Sequence, residues 1–253
     1  MHDHDPSRSV GPDTVTLTAP AKLTVSLRIV GVRDDGYHLV DAEMVTLDLA
    51  DTVEIGPGEG LEVDFAAPAS ERAGLAVGDP EDNLVTKALR LTGRRAHVRL
   101  TKRIPAGAGL GGGSADAAAV LRWAGMDDPV RAAGLGADVA FCLVGGRARV
   151  GGIGERIETL EPINRTYTLI IPPFGCSTVE VYRAWDRLGG PTGTHGNDLE
   201  PAALAVEPRL AAWRDRLHEA TGLRPRLAGS GSTWFVEGAY PGDGRLVVHS
   251  PGT

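Results

Sequence analysis

The residues best placed to do chemistry form one run, Pro105-Ala106-Gly107-Ala108-Gly109-Leu110-Gly111-Gly112-Gly113-Ser114-Ala115, which continues as Asp-Ala-Ala-Ala-Val-Leu-Arg-Trp123. A glycine-rich loop followed at once by helix formers suits an anion. Glycines at 107, 109, 111, 112 and 113 carry no Cβ to hold a bulky group away from backbone N–H groups, and they accept the positive φ angles of a wrapping loop. The helix expected from Ala115 to Trp123 points its unpaired N–H groups and the positive end of its dipole at the same place. No Gly-Lys-[Ser/Thr] closes the run, so it is not a P-loop. Gly107-x-Gly109-x-x-Gly112 does satisfy a dinucleotide fingerprint, but dinucleotide folds open on that motif, and here mainly strand-like sequence comes first. A ligand-free turn leaves the immediate helix start unexplained. On the loop alone, nucleotide, dinucleotide and plain turn all stay open.

The rest of the composition narrows the class. The chain has 253 residues, 42% hydrophobic content and a formal charge of −7, values of a globular protein with one large or two smaller domains. That charge, with no Lys/Arg run interleaved with aromatics, excludes a nucleic-acid surface. No apolar run is long enough for a membrane span and the polar start lacks the core of a signal peptide, so a cytoplasmic location is expected. Cys142 and Cys176 have no partners at metal-ligand spacing, and no metal site is expected; His2, Asp3, His4 and Asp5 are given no role. Of 26 basic residues only Lys22, Lys87 and Lys102 are lysines. In a chain that otherwise uses arginine, lysine marks places that need a compact ammonium.

The elements that must hold these residues follow from periodicity. Strands are expected at 15–18, 22–30, 39–49, 52–55 and 61–65, with a turn at Arg33-Asp-Asp-Gly36 and a loop over 68–80. Asp82 or Asn83 caps a helix to about 92, and a strand over 96–104 feeds the glycine loop. Then come a connection over 125–136, a helix over 137–143, and strands at 147–150 and 157–160. Past a boundary near 161 the pattern gives strands at 167–171, 224–228, 233–236 and 246–249 with helices over 178–188 and 208–221. The expected class is α+β, with a disordered tail over 1–13 and domains over 14–161 and 162–253.

Four further islands stand around the loop in order: Pro20-Ala-Lys22-Leu, Asp35-Gly-Tyr-His38, Leu135-Gly-Ala-Asp-Val139 and Leu227-Ala-Gly-Ser-Gly-Ser-Thr233. With the loop they resemble the GHMP kinase superfamily, and within it the kinases of 4-diphosphocytidyl-2-C-methyl-D-erythritol, from about Val15 to Val248. The resemblance implies a two-domain fold with a ferredoxin-like C-terminal domain, ATP with Mg²⁺ as phosphoryl donor, and a cytidine diphosphate-linked polyol as acceptor, in a monomer or homodimer. Asp138 matches the catalytic aspartate that accepts the hydroxyl proton, although an Asp opening a short helix is also an ordinary N-cap. Lys22 matches the catalytic lysine, which lowers the pKa of the acceptor hydroxyl or Asp138 and offsets developing charge.

Tyr37, His38 and Tyr182 match positions that hold the cytidine end. Asn83 matches a position near the adenosine pocket; Lys102 and Arg103, just before the loop, are expected to approach the nucleotide, and Ser114 at the opening of the loop helix is read as a phosphate or Mg²⁺ contact or as a plain cap. Gly229 and Ser230 match the turn that closes the cleft. Asp116, in the first helical turn, is read as structural. Thr24 stands where the family commonly has Asn. The segments 124–136 and 237–244 are shorter than the family pattern, the second leaving no room for a helix between the last two strands.

Overall fold

A computed structural model describes residues 13–66 and 81–252. The expectations for the tail over 1–13, Asp13 apart, for His2 to Asp5 and for the loop over 68–80 lie outside the described residues. Where the sequence predicts four short strands, the structure has two long ones, β1 (Val15–Val32) and β2 (His38–Gly56), paired antiparallel along their length. Pro20 does not break β1, because β1 pairs in the sheet with β2 alone and the missing N–H costs little on an edge. Asp51 does not break β2, because its buried carboxylate accepts the N–H of Ile104 at 2.9 Å and meets Lys102.

On its other edge β2 pairs with β4 (His97–Lys102) and β5 (Arg147–Gly152), at residues 52–56 and 40–45 respectively. β3 (Gly60–Phe65) flanks β4 and β6 (Arg156–Thr159) flanks β5, completing six strands. The β1–β2 ladder shifts register at Pro20/Lys22, Thr24/Ser26 and Ile29/Gly31. The first two shifts decide which way the chain faces. Ala19 and Leu27 lie in the larger core with the helices, whereas Ala21, Leu23 and Val25 lie in a second core with Tyr167, Leu169 and Phe235. Between the shifts Lys22 and Thr24 are therefore turned toward the helices.

α1 (Leu84–Thr92) starts at Asn83, whose Oδ1 accepts the Val85 N–H at 2.9 Å. α2 (Gly112–Trp123) starts at Gly111, so Ser114 sits inside the first turn and does not cap it. Every residue of α2 from Ala115 to Leu121 is buried, and its alanines let α1, α4 and the sheet approach closely. The segment 125–136 holds a short α3 (Pro129–Ala133), because Asp128 accepts two N–H groups and Pro129 stands at its first position. α4 (Ala137–Val144) follows.

β7 (Arg165–Ile170), α5 (Thr178–Arg187), α6 (Glu200–Val206), α7 (Leu210–Thr221), β8 (Arg226–Leu227), β9 (Trp234–Glu237) and β10 (Arg245–Ser250) complete the chain. The order β10-β7-β9-β8, antiparallel throughout, is the ferredoxin-like order. No helix joins β9 to β10, and the contraction leaves the strand order intact. The Thr168 hydroxyl straps the connection down: it donates to the Gly238 carbonyl at 2.7 Å and accepts the Tyr240 N–H at 2.9 Å. Arg245 holds the carbonyls of Tyr240 and Pro241, each at 2.9 Å. Thr168→Val removes the partner of a half-buried carbonyl and a half-buried N–H, so we expect urea unfolding to show a loss of about 0.5–1.5 kcal/mol. A stability equal to wild type would remove the strap from the account.

Candidate active site

Two cavities meet at Ser114. One, of about 560 Å³, is lined by Lys22, Thr24, Tyr37, His38, Asp138 and Tyr182 among others; the other, of about 330 Å³, lies between the glycine loop and Asn83, Leu84 and Leu100. In the first, Lys22 Nζ stands 3.1 Å from Asp138 Oδ2 and donates to Thr24 Oγ1 at 3.0 Å. Asp138 is in the first turn of α4, but the cap there is Gly136, so the carboxylate does not serve as a cap. It faces Lys22 and is one-third exposed, while the Lys22 side chain is 5% exposed. Gly111 makes room for this lysine: a Cβ there would lie 2.8 Å from Lys22 Cγ.

The loop itself uses its glycines in two ways. Gly107, Gly109 and Gly111 all have positive φ, and two of them pack against backbone of the C-terminal half. A Cβ at Gly107 would lie 2.9 Å from Gly175 Cα, and one at Gly109 would lie 2.7 Å from Gly231 Cα. Hydrogen bonds from Cys176 N–H to Gly107 O (3.3 Å) and from Thr233 N–H to Ala108 O (3.1 Å) close this seam, and Lys22 N–H reaches Leu110 O at 2.9 Å. Gly113 is different. A Cβ there would meet only Leu84 Cδ1, at 3.8 Å, whereas one at Gly112 would lie 3.0 Å from Ile104 Cγ2, so the open side of the cradle is at Gly113, in the first turn of α2.

At the far end of the larger cavity His38 Nε2 stands 2.7 Å from Asp186 Oδ1, and the ring packs on Tyr182 at 4.9 Å and edge-on to Trp185 at 5.3 Å. Tyr37, 59% exposed, sits at the tip of the 33–37 turn under the Arg33 guanidinium. Ser230 Oγ meets Thr178 Oγ1 at 2.9 Å across the mouth. Sequence reading missed Trp185 and Asp186; Asp186 stands four residues after Tyr182, a spacing that puts both on one helix face and could have found it. Burial pushes the Cys142 and Cys176 thiols up to about 12 and about 11, which takes both out of nucleophilic chemistry.

Residues 83–126 match the model of the GHMP kinases N terminal domain. The chain is 40% identical to the 4-diphosphocytidyl-2-C-methyl-D-erythritol kinase of Paracoccus denitrificans, over 86% of this chain and 84% of that one, and 38% identical to that of Ruegeria pomeroyi over 89% and 88%. This chain belongs to that kinase family. A crystal structure of 4-(cytidine 5'-diphospho)-2C-methyl-D-erythritol kinase superposes with a TM-score of 0.70 at 29% identity, covering 94% of this chain and all of that one. The homoserine kinase of Cytophaga hutchinsonii, at 17% identity, superposes with a TM-score of 0.57 over 98% of this chain and 97% of that one, and shares the fold.

Against this family pattern, Thr24 keeps a polar contact to Lys22 through its hydroxyl. Lys102 lines the cavity beside the glycine loop, and its surroundings show a second role. Its ammonium lies beneath the loop between the carboxylates of Asp51 and Asp116, and Asp51 also accepts the N–H groups of Arg103 and Ile104. The cluster fixes where the loop begins. Lys87, its side chain 42% exposed, stands 3.5 Å from Asp82, whereas the other two lysines, Lys22 and Lys102, are buried ion-pair partners.

Asp116 is no surface dipole partner either: burial raises its carboxyl from 3.8 to about 7, against the pull of Lys102 and with the Asp51 charge adding to the rise. A carboxyl whose folded pKa is raised contributes stability in full below its unfolded value and loses it as pH rises through the folded one. Wild type should therefore weaken between about pH 4 and 7 relative to Asp116→Asn, which has no such proton. Urea unfolding at pH 5 and pH 8.5 reads the difference. A gap between the two proteins that does not change with pH would contradict the raised carboxyl.

Proposed function

We propose that the protein transfers the γ-phosphoryl group of ATP to the 2-hydroxyl of 4-diphosphocytidyl-2-C-methyl-D-erythritol, giving the 2-phosphate and ADP, as a step of non-mevalonate isoprenoid precursor synthesis. The observation that carries this reading is the Lys22–Asp138 pair in the larger cavity, which shares Ser114 with the cavity of the glycine loop. ATP fits the smaller one: Leu84 and Leu100 offer apolar walls for a flat base, and Gly112 to Ser114 with the α2 N-terminus offer donors for phosphates. Tyr37, His38 and Tyr182 offer aromatic faces for the cytosine in the larger one, with Gly229 and Ser230 toward its diphosphate.

Asp138 accepts the acceptor hydroxyl's proton as the oxygen attacks in line, and its ion pair with Lys22 holds it in place. Lys22 offsets negative charge gathering on the transferred group and needs only a small displacement to do so. Thr24 steadies the ammonium. No group of three or more His, Cys, Asp or Glu side chains suited to a metal occurs among the described residues. Mg²⁺ would therefore come with the nucleotide, held by its phosphates and the Ser114 hydroxyl, and would supply charge neutralisation on them. No described helix is long and apolar enough to cross a membrane, and we assign the enzyme to the cytoplasm.

Purified protein with Mg-ATP should release ADP on addition of this substrate and not of homoserine or mevalonate. Asp138→Asn should lower kcat by about 10²–10⁴-fold and leave the KM for ATP nearly unchanged, because it removes a group that acts in the transition state. Turnover near wild type in that variant would sink the base assignment, and turnover of another alcohol alone would sink the substrate.

A further inference from the structure

The turn at Gly229-Ser230 lies directly over the lysine end of the reacting pair. A Cβ at Gly229 would stand 3.3 Å from Thr24 Oγ1 and 3.8 Å from Lys22 Nζ, and the residue takes a φ of +65° that favours glycine. Within the turn Ala228 N–H reaches Thr233 O at 2.9 Å and Gly231 N–H reaches Ala228 O at 3.3 Å, and Thr233 N–H joins its far end to Ala108 O of the glycine loop at 3.1 Å. The carbonyls of Leu227 and Gly229, at its near end, are held from a distant segment, residues 193–199, by one side chain.

Asn197 is 2% exposed, and its amide nitrogen donates to both Leu227 O (2.9 Å) and Gly229 O (2.7 Å), while its oxygen accepts the Leu199 N–H at 2.9 Å. The backbone around it is stitched to β1 just beyond the second register shift: Leu27 N–H reaches Gly196 O at 2.7 Å, and Asp198 N–H reaches Leu27 O at 3.0 Å. Asp198 adds bonds from Arg28, from Ile29 N–H and from Gly193 N–H. The same strand that carries Lys22 and Thr24 thus carries Asn197, and Asn197 carries the turn above them. Both jaws of this contact are referred to one rigid element.

We infer that Asn197 is a positioning residue of the phosphoryl-transfer site, holding the Gly229-Ser230 turn against Lys22 and Thr24 so that the ammonium stays aimed at Asp138 and shielded from water. The inference rests on Lys22 and Asp138 being the reacting pair. A carboxamide is required because two buried carbonyls demand two donors while one N–H demands an acceptor, a combination that neither Asp nor Ser supplies. Loss of the two donors leaves the Leu227 and Gly229 carbonyls unpaired, and the turn relaxes toward solvent. A displacement on the order of 1 Å at a reacting group can cost about 10²-fold in rate.

The test compares Asn197→Ala, Asn197→Asp and Asp198→Asn in the full chain. Asn197→Asp keeps the size and the acceptor for Leu199, and it carries the test where the alanine variant does not fold. Both Asn197 variants should lower kcat by about 10–100-fold with an unchanged KM for ATP. Asp198→Asn, in the same segment but not bonded to the turn, should lower the melting temperature and keep kcat within a few-fold of wild type.

A second readout needs no turnover: acetic anhydride labelling of Lys22, followed by peptide mass spectrometry, normalised to Lys102, which is also buried but lies away from the turn. That ratio should rise several-fold in Asn197→Asp. Wild-type kcat in the Asn197 variants, an unchanged labelling ratio, or a fall in kcat that only follows the loss of folded protein and is shared by Asp198→Asn would each overturn the inference. Absence of wild-type turnover with the proposed substrate would instead count against the substrate, and the labelling ratio would still decide the role of Asn197.

Discussion

Residues 21–25 of β1 are buried on both faces, and the site depends on that. A strand alternates its side chains, so packing one face into a core fixes the direction of the other. Two register shifts set the limits of this stretch and turn Ala21, Leu23 and Val25 onto the C-terminal sheet, each large apolar side chain contributing about 1.5–3 kcal/mol when fully buried. Lys22 and Thr24 then have no choice of direction. The ammonium is carried under the glycine loop, where burial would be prohibitive without partners, and Asp138 and Thr24 supply them. Hydrophobic packing against Tyr167, Leu169 and Phe235 thus aims a charged group that touches none of them.

The glycine loop is bound by the same logic. Gly107 and Gly109 meet backbone of the C-terminal half so closely that a side chain on either would collide with main-chain atoms. Their absence of Cβ serves docking; Gly113, in the first turn of α2, is the part left open. The loop can hold its shape only while Gly175 and Gly231 are against it. Its entry is fixed separately by Asp51, which takes the Arg103 and Ile104 N–H groups.

How much of this could be read from the residues alone varies with the distance over which each feature is decided. The Asn83 cap, the 33–36 turn and the glycine loop ahead of a helix are local, and the residue types state them. The joining of four short strands into two is not local: Pro20 is tolerated because nothing pairs on its outer side, and Asp51 because Lys102, fifty-one positions on, meets it. Ser114 and Asp138 looked like caps because their side chains can cap, yet glycines at 111 and 136 take those positions with backbone alone. α6 begins at Glu200-Pro201 and ends before Pro208, a composition that reads as loop. Lys102 was singled out by its type, but its role is set by two carboxylates from other elements. The His38–Asp186 contact spans 148 positions, and no spacing rule reaches that far.

The contrast between the two buried lysines separates function from support. Lys102 is enclosed between carboxylates that are themselves buried, and burial raises the Asp116 carboxyl, with the Asp51 charge adding to the rise. Any move of that ammonium would leave buried carboxylate charge unpaired in a low dielectric, a penalty of several kcal/mol. Lys22 has one carboxylate partner, and that partner is open to the cleft over a third of its surface. Asp138 can be rehydrated or engaged by an acceptor hydroxyl at little cost, so the ammonium is free to follow charge as it develops on an incoming phosphoryl group. An ion pair with one side in solvent can exchange partners during a reaction, and a closed one cannot. That difference is the physical ground for proposing catalysis at Lys22, whereas Lys102 supports the start of the loop.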